Sequence, residues 1–203
     1  PATETFTASI SKADPAPDTY TLTGYTETYD GAKHGITVTG TEPGDTILYS
    51  TDGVTYSGIA PELFVGSATV SVKISRPNYN DWTGSADINI TPKQLTVSGT
   101  AVANKTYDGT TGAVITLGAV DGVIDTDAVT VTPSGAFPSA NVGDYQVAVT
   151  YALSGAEAQY YLAPADDTCA ASITAANITG VTLTGYAGTY DGDEHGITVN
   201  GTE

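Results

Sequence analysis

One segment of the sequence occurs twice, and this repeat constrains the fold more than any other feature. Residues 21–42 and 182–203 align without gaps at an offset of 161 residues, and 17 of the 22 positions are identical. Upstream, residues 8–11 match residues 171–174 after a two-residue slip. A fixed period is typical of tandem arrays, in which each repeat is one structural unit. The sequence is therefore expected to hold one full period and part of a second.

A weaker internal similarity divides this period into two related modules. The letters ETYDGAKHG at 27–35 return as KTYDGTTGA at 105–113, each time ahead of alternating strand-like segments. The predicted domains are a tail strand and linker at 1–18, module A at 19–93, module B at 94–176, and the first strands of an incomplete A-type module at 177–203. The links between them are only a few residues long, which predicts a semi-rigid rod.

The composition indicates strands rather than helices. Thr, Val, Ile and Tyr are abundant, and β-branched and aromatic side chains suit a pleated, half-buried surface. The 23 Gly and 10 Pro residues provide turns. Residues 68–75 and 145–153 alternate apolar and polar side chains, as half-buried strands do. Residues 46–58 carry Asp52-Gly53 at their centre and predict a hairpin with a primed two-residue turn. The sequence therefore predicts an all-β fold.

The charge excludes several kinds of partner. The chain carries 23 acidic against 6 basic residues, for a formal net charge of −17. Nucleic acids and anionic membranes attract clustered Lys and Arg, so neither is an expected partner. No apolar run approaches 18 residues, which predicts no membrane insertion in this segment. With no signal peptide and no Met, the sequence is expected to be a mature product or an excerpt. The single cysteine, Cys169, lies in an alternating segment and is expected to be buried and inert.

The repeated phrase contains a tyrosine, an aspartate and a histidine, which could form an acid–base set. Module B keeps Tyr-Asp-Gly but has no histidine at the equivalent place, and nothing marks an activated nucleophile or an oxyanion pocket. No enzyme activity is therefore predicted. Asp can bond the backbone after it and Gly accepts a positive φ, so a structural turn is the favoured interpretation. The turn residues are Tyr29, Asp30 and Gly31; Tyr107, Asp108 and Gly109; and Tyr190, Asp191 and Gly192.

An aspartate-rich loop is the candidate metal site. Asp121, Asp125 and Asp127 lie in a glycine-containing segment and could supply some of the six to eight oxygens that Ca²⁺ requires. Their spacing does not match an EF-hand, and a solvated loop is the alternative. No other cofactor is predicted.

Four aromatic residues are candidates for stacking against a glycan. Tyr79 and Trp82 precede a strand in module A, and Tyr160 and Tyr161 stand at the equivalent place in module B. Recurrence at one place in both modules also suits packing in the core or at a corner. Burial of these rings would remove the glycan hypothesis.

The order of motifs resembles that of known repeat families. The segment with KTYDGTT, GVIDTDAVTV and GAFPSANVGDYQVAVTYAL resembles the YDG domains of bacterial surface proteins. The segment with LTGYTETYDGAKHGITVTG and VSVKISRPNYNDWTG resembles the related glycine-rich MBG modules. The resemblance implies tandem immunoglobulin-like β-sandwich modules in secreted, cell-surface or adhesin-type proteins. It implies no catalytic residues.

Two functions follow as hypotheses. One is a non-catalytic, extracellular structural segment of a prokaryotic surface stalk or fibre, whose partners are neighbouring copies of itself arranged head-to-tail. The other is an adhesin module that binds a glycan or matrix ligand, with Ca²⁺ as a possible aid. Residues 1–12 and 177–203 hold only parts of modules, and a partial sheet leaves unpaired edges. These segments are expected to be disordered or to be completed by strands of an adjacent chain or repeat.

Overall fold

The computed structural model describes residues 7–16 and 18–201, and these residues form an almost purely β structure. The strands of the first half are β1 Thr21–Thr23, β2 Tyr25–Thr28, β3 His34–Gly35, β4 Thr37–Thr39, β5 Thr46–Ser50, β6 Glu62–Leu63, β7 Gly66–Ser75, β8 Trp82–Thr91 and β9 Lys93–Gln94. Those of the second half are β10 Thr96–Ser98, β11 Ala101–Val102, β12 Lys105–Thr106, β13 Ile115–Thr116, β14 Ala119–Asp121, β15 Thr130–Gly135, β16 Gly143–Ser154, β17 Tyr161–Leu162, β18 Asp167–Thr174, β19 Thr182–Thr184 and β20 Thr198–Asn200. A 3₁₀ turn, Ala158–Tyr160, precedes β17. The all-β prediction is confirmed.

Within the described part of the chain, no helix is both long and apolar enough to cross a membrane. Residues 1–6 of the predicted tail strand, Pro17 of the predicted linker and residues 202–203 of the predicted incomplete module lie outside the described residues.

By their internal contacts the residues fall into two compact units. Unit 1 comprises Pro1–Gly99, Gly118–Thr132 and Tyr151–Ala165, and unit 2 comprises Thr100–Leu117, Pro133–Thr150 and Asp166–Glu203. Parts of predicted module B thus belong to the same compact unit as module A. The boundaries at 93/94 and 176/177, and the rod arrangement, stay predictions.

Unit 1 is built on a four-stranded sheet in the order β2-β8-β7-β5. Strand β7 pairs antiparallel with both β5 and β8, whereas β2 pairs parallel with β8. The alternation of β7 and β8 places one face of each strand in the core. The buried side chains on that face are Val70, Val72, Ile74, Ile88 and Ile90, each at most 2% exposed. Full burial of each side chain of this kind stabilises the fold by roughly 1.5–3 kcal/mol.

Unit 2 is built on a sheet in the order β12-β18-β16-β15, in which β12 is parallel and β16 antiparallel to β18. Its buried strand residues include Val147, Val149, Ala171 and Ile173. Cys169 faces the same interior as a free thiol, and burial raises its pKa. The prediction of a buried cysteine is confirmed.

The two sheets share a structural feature that agrees with the sequence similarity between the modules. In each, a Tyr-Asp-Gly sequence directly follows the edge strand that runs parallel to its neighbour. The N–H of Tyr29 donates to the carbonyl of Thr91 at 2.9 Å, and the N–H of Tyr107 donates to the carbonyl of Thr174 at 2.8 Å. Each motif therefore begins where the parallel ladder ends.

The turn at Asp52-Gly53 differs from the prediction. Tyr49 and Ser57 exchange two backbone hydrogen bonds of 2.8 and 2.9 Å, but β5 forms its full ladder with β7. Only Gly53 of the pair has a positive φ, 71°. The Asp52 carboxylate accepts from the N–H groups of both residues after Gly53, at 2.8 and 2.7 Å. The predicted primed two-residue turn is wrong, because this aspartate stabilises a wider loop through its side chain.

Gly24 provides a test of how closely β1 and β2 approach β8. A Cβ added at Gly24 would meet the carbonyl oxygen of Asp87 well inside van der Waals contact, whereas one added at Gly185, the repeat equivalent, would meet nothing within 4 Å. We expect Gly24→Ala to lower the free energy of unfolding by roughly 1–3 kcal/mol, because backbone must move to admit the methyl group. Urea unfolding of this variant and of Gly185→Ala checks this, and equal effects would contradict it.

Candidate interaction site at the Tyr-Asp-Gly corner

The three Tyr-Asp-Gly sequences adopt the same kind of turn. In each, the aspartate carboxylate accepts a hydrogen bond from the N–H two residues later, at 2.9 Å for Asp30, 2.9 Å for Asp108 and 3.1 Å for Asp191. The glycine that follows has a φ of +97°, +76° or +92°, respectively. These positive angles are ones that glycine adopts without strain. The motif therefore reverses the chain at the end of the edge segment.

Each of these aspartates also has a basic partner, which sequence reasoning missed in module B. Nε2 of His34 lies 3.0 Å from the Asp30 carboxylate, and Nε2 of His195 lies 2.8 Å from that of Asp191. Lys105 takes this place from the other side of the motif, with its Nζ 2.8 Å from Asp108. The sequence signal was a basic residue within four positions of every motif aspartate.

The neighbouring groups keep these carboxylates ionised. The Ala32 N–H and then His34 hold the pKa of Asp30 below its ordinary value. The ammonium of Lys105, followed by the N–H of Thr110, lowers the pKa of Asp108 to about 2. A carboxylate saturated by such partners is a structural acceptor rather than a general base, which requires a pKa nearer the working pH.

Tyr29 is the buried member of the first corner. Its side chain is 3% exposed, and its hydroxyl donates to Oδ2 of Asp127 at 2.9 Å. The hydroxyl of Tyr161 donates to the same oxygen at 2.6 Å and accepts from the N–H of Ile124 at 3.1 Å. Burial, followed by the hydrogen bond to Asp127, raises the pKa of Tyr29 well above its ordinary value. Both phenols therefore remain protonated donors around one carboxylate.

Aromatic rings surround this hydrogen-bonded centre. The Tyr29 ring lies 5.0 Å from that of Tyr160, 5.5 Å from that of Tyr161 and 6.2 Å from that of Phe64, measured between centroids. The ammonium of Lys33 lies 5.2 Å from the Phe64 centroid, within cation–π range. We refer to Asp127, Tyr160 and Tyr161 as the Asp127 cluster. Tyrosines buried in this way combine a large apolar contact with a satisfied hydroxyl.

The second copy of the phrase keeps the local geometry but not the burial. Strands β19 and β20 pair in the register of β1 and β4, so that Leu183 faces Val199 as Leu22 faces Val38. The Tyr190 side chain is 94% exposed, against 3% for Tyr29. The corner therefore forms by itself, whereas its burial depends on covering residues.

The three aspartates of the candidate metal loop do not converge. Asp127 accepts from two tyrosine hydroxyls, and Asp121 ends strand β14. Among residues 7–16 and 18–201, no group of three or more His, Cys, Asp or Glu side chains is placed to hold a metal ion. The structure thus gives Asp127 a different role, and the Ca²⁺ site stays a prediction.

The candidate stacking residues have diverse surroundings. Tyr161 is 5% exposed within the Asp127 cluster, and Tyr160 is half-buried beside it. Trp82 is half-buried with its ring centroid 5.3 Å from that of Tyr20. Half-buried Tyr79 borders a cleft of about 270 Å³, and the Arg76 guanidinium lies 5.6 Å from its ring centroid. Glycan stacking at these positions stays a prediction.

Sequence reasoning also missed an ion pair in unit 1. The Asp45 carboxylate, whose side chain is 2% exposed, accepts from Nε of Arg76 at 2.6 Å and from the hydroxyl of Tyr20 at 3.2 Å. Arg76, followed by the Glu42 N–H, holds the pKa of Asp45 far below its ordinary range. No spacing pattern connects the two residues, which lie 31 positions apart in the sequence.

One family of known proteins is similar to part of the second half of the chain. The YDG domain family matches residues 91–171. The match agrees with the resemblance inferred from the motifs of module B. No curated protein sequence matches this chain.

Several solved structures of β modules align loosely with the chain. A structure of Drosophila N-cadherin EC1-4 is 9% identical, with 76% of this chain and 47% of that chain covered and a TM-score of 0.29. The Clostridium thermocellum CbhA fibronectin(III)-like modules are 11% identical, with coverages of 77% and 94% and a TM-score of 0.26. Domains 4-9 of the surface layer protein SbsC are 12% identical, with coverages of 78% and 28% and a TM-score of 0.28. This chain thus spans less than half of the cadherin and SbsC structures, and no function is transferred from these likenesses.

Proposed function

We propose that this chain, whose residues 91–171 match the YDG domain family, is a non-catalytic structural segment of an extracellular prokaryotic surface stalk or fibre. Its MBG-like and YDG-like modules act as spacers that follow one another head-to-tail. The burial of Tyr29 is the observation that supports this most. Tyr29 comes from predicted module A, whereas Asp127, Tyr160 and Tyr161 come from predicted module B. A buried, hydrogen-bonded cluster that joins consecutive modules resists bending between them.

The chemistry of the Tyr-Asp-Gly corners also favours a structural role. Their aspartates are paired with backbone N–H groups and with His34, Lys105 or His195. The buried phenols of Tyr29 and Tyr161 share one carboxylate as acceptor. No side chain in this set has the environment of an activated nucleophile, which requires an adjacent base or a lowered pKa.

The charge of the chain suits an exposed, hydrated stalk. A formal net charge of −17 favours solubility and opposes binding to nucleic acid or to anionic lipid surfaces. The proposed partners are therefore neighbouring repeats of the same kind. The adhesin hypothesis also requires a ligand-binding site, and the cleft beside Tyr79 is the candidate for it.

Small-angle X-ray scattering of the chain tests the spacer role. A compact protein of this length would have a radius of gyration of ~17 Å. Modules that follow one another as a rod are expected to give a clearly larger value, together with the cross-section plateau of a rigid rod. Tyr29→Ala is expected to weaken that plateau, and Tyr190→Ala, its counterpart in the exposed copy, is the control. A radius near the compact value would contradict the proposal.

A further inference from the structure

The hydroxyls of Tyr29 and Tyr161 meet at one oxygen atom. Both donate to Oδ2 of Asp127, at 2.9 and 2.6 Å. The centroids of the two rings lie 5.5 Å apart, with the ring planes at 86°. In a phenol the ortho carbons flank the carbon that bears the hydroxyl. Hydroxyls that converge in this way therefore bring an ortho carbon of each ring toward the other ring.

The surrounding residues confine both rings. Tyr29 is 3% and Tyr161 5% exposed, and the rings of Phe64 and Tyr160 pack against that of Tyr29. The interior of a protein is close-packed, so neither ring can move far from the other. Groups held together in this way react as if each were present at a very high concentration. A radical formed on one of these rings would therefore meet the other ring before it meets another molecule.

Asp127 provides a proton acceptor for either phenol. Burial, followed by the hydrogen bond to Asp127, raises the pKa of Tyr29 well above its ordinary value, so this phenol is protonated at neutral pH. Its oxidation must then remove a proton together with the electron, and a carboxylate at hydrogen-bond distance can take that proton as a general base. Asp127 is half-buried, so it can pass the proton on to water. Oxidation moves an electron rather than a bulky reagent, and burial of the ring does not prevent it.

We propose that Tyr29 and Tyr161 are the site of an oxidative modification, a dityrosine cross-link made by a peroxide-driven one-electron oxidant such as the haem of a peroxidase. Each phenol loses one electron and its hydroxyl proton, and the two phenoxyl radicals form one bond between ortho carbons. Each of these carbons then loses its hydrogen as a proton, and each oxygen is protonated again. The two electrons and two protons that leave reduce one hydrogen peroxide to two waters.

The cross-link would join the two predicted modules covalently. Tyr29 belongs to predicted module A and Tyr161 to predicted module B, so the new bond closes a long loop across their boundary. Closing a long loop lowers the entropy of the unfolded chain and stabilises the folded state, as a disulfide does. The extracellular, oxidising setting rests on the proposed stalk function, whereas the coupling chemistry depends only on the Asp127 cluster.

Treatment of the dilute 203-residue chain with a haem peroxidase and hydrogen peroxide tests the proposal. Free tyrosine, coupled under the same conditions, shows that the oxidant is active. We expect dityrosine fluorescence in the monomeric fraction, and mass spectrometry of its digest should give Tyr29 and Tyr161 peptides joined with the loss of two hydrogens. The urea midpoint of the cross-linked monomer, measured by circular dichroism, is expected to rise. In concentrated urea, where the cluster is unfolded, this cross-link should not form.

Two matched variants identify the partner of Tyr29. Tyr161→Phe keeps the ring but has no phenol to couple, so it is expected to abolish the monomeric cross-link. Tyr160→Phe removes a hydroxyl from the adjacent ring and is expected to leave the cross-link in place. A monomer without dityrosine, under conditions that couple free tyrosine, overturns the proposal. A product that joins Tyr29 to Tyr160 overturns the assignment of the partner.

Asp127→Asn tests the role of the carboxylate. The amide oxygen can still accept hydrogen bonds from both phenols but is no base, so we expect the initial rate of cross-linking to fall about tenfold or more. Circular dichroism before oxidation shows whether each variant is folded as the parent chain is. An unchanged rate in folded Asp127→Asn overturns the role of Asp127 as proton acceptor. The scattering test of the spacer role uses the unoxidised chain, so the two proposals fail separately.

Discussion

Replacement of Tyr29 by alanine is expected to lower the free energy of unfolding by about 3–5 kcal/mol, whereas Tyr190→Ala changes it by less than about 0.5 kcal/mol. The two tyrosines lie in the same sequence context, yet one is 3% and the other 94% exposed. The cost at Tyr29 arises from the lost ring contacts and from the cavity left beside Tyr160 and Tyr161. Asp127 keeps one phenol donor, so its carboxylate is not left alone.

Urea unfolding measured by the fluorescence of Trp82 provides the readout. Trp82 is the only tryptophan and lies in unit 1, so its signal reports the unit that contains Tyr29. Tyr29→Phe separates the two contributions, because it removes only the hydroxyl and is expected to cost about 1–2 kcal/mol. Similar losses for Tyr29→Ala and Tyr190→Ala would show that the Asp127 cluster does not stabilise the fold.

The repeat shows which parts of this structure a sequence can predict. Leu22 pairs with Val38, and Leu183 pairs with Val199 in the second copy. The partners are only sixteen positions apart, so the short segment between them is enough to determine the pairing. Strand β2 pairs only with β8, and its second-copy equivalent at 186–189 forms no strand. Local alternation and turn residues therefore predicted strands such as β7 and β16, but not which strand would lie beside which.

The candidate site depended on contacts far apart in the chain. The hydrogen bond from Tyr29 to Asp127 joins residues 98 positions apart, and no spacing rule connects them. Asp127 was consequently assigned to a possible Ca²⁺ site, since isolated carboxylates in a glycine-rich loop suit that ion equally well. Module B has no histidine at the equivalent place, and Lys105, three residues before Asp108, pairs with the aspartate instead. An alignment of the two modules compares residue types, so it does not show that a histidine and a lysine can serve as the same basic partner of the aspartate.

Replacement of Ile173 by alanine is the second substitution for which we expect a large effect, a loss of about 2–5 kcal/mol from the free energy of unfolding. Ile173 is 1% exposed in β18, with β12 on one side and β16 on the other. Truncation there leaves a cavity that two paired neighbours prevent from closing. Ile10, its repeat equivalent in residues 8–11, is 101% exposed, so Ile10→Ala is expected to change stability by less than about 0.5 kcal/mol.

Far-UV circular dichroism during urea unfolding checks this pair, because the only tryptophan lies outside unit 2. Ile173→Val is the conservative variant, expected to cost about 0.5–1.5 kcal/mol. In this part of the repeat the burial is reversed: the first copy, at Ile10, is exposed, and the second, at Ile173, is covered by its own sheet. A loss for Ile10→Ala as large as that for Ile173→Ala would contradict this difference in burial.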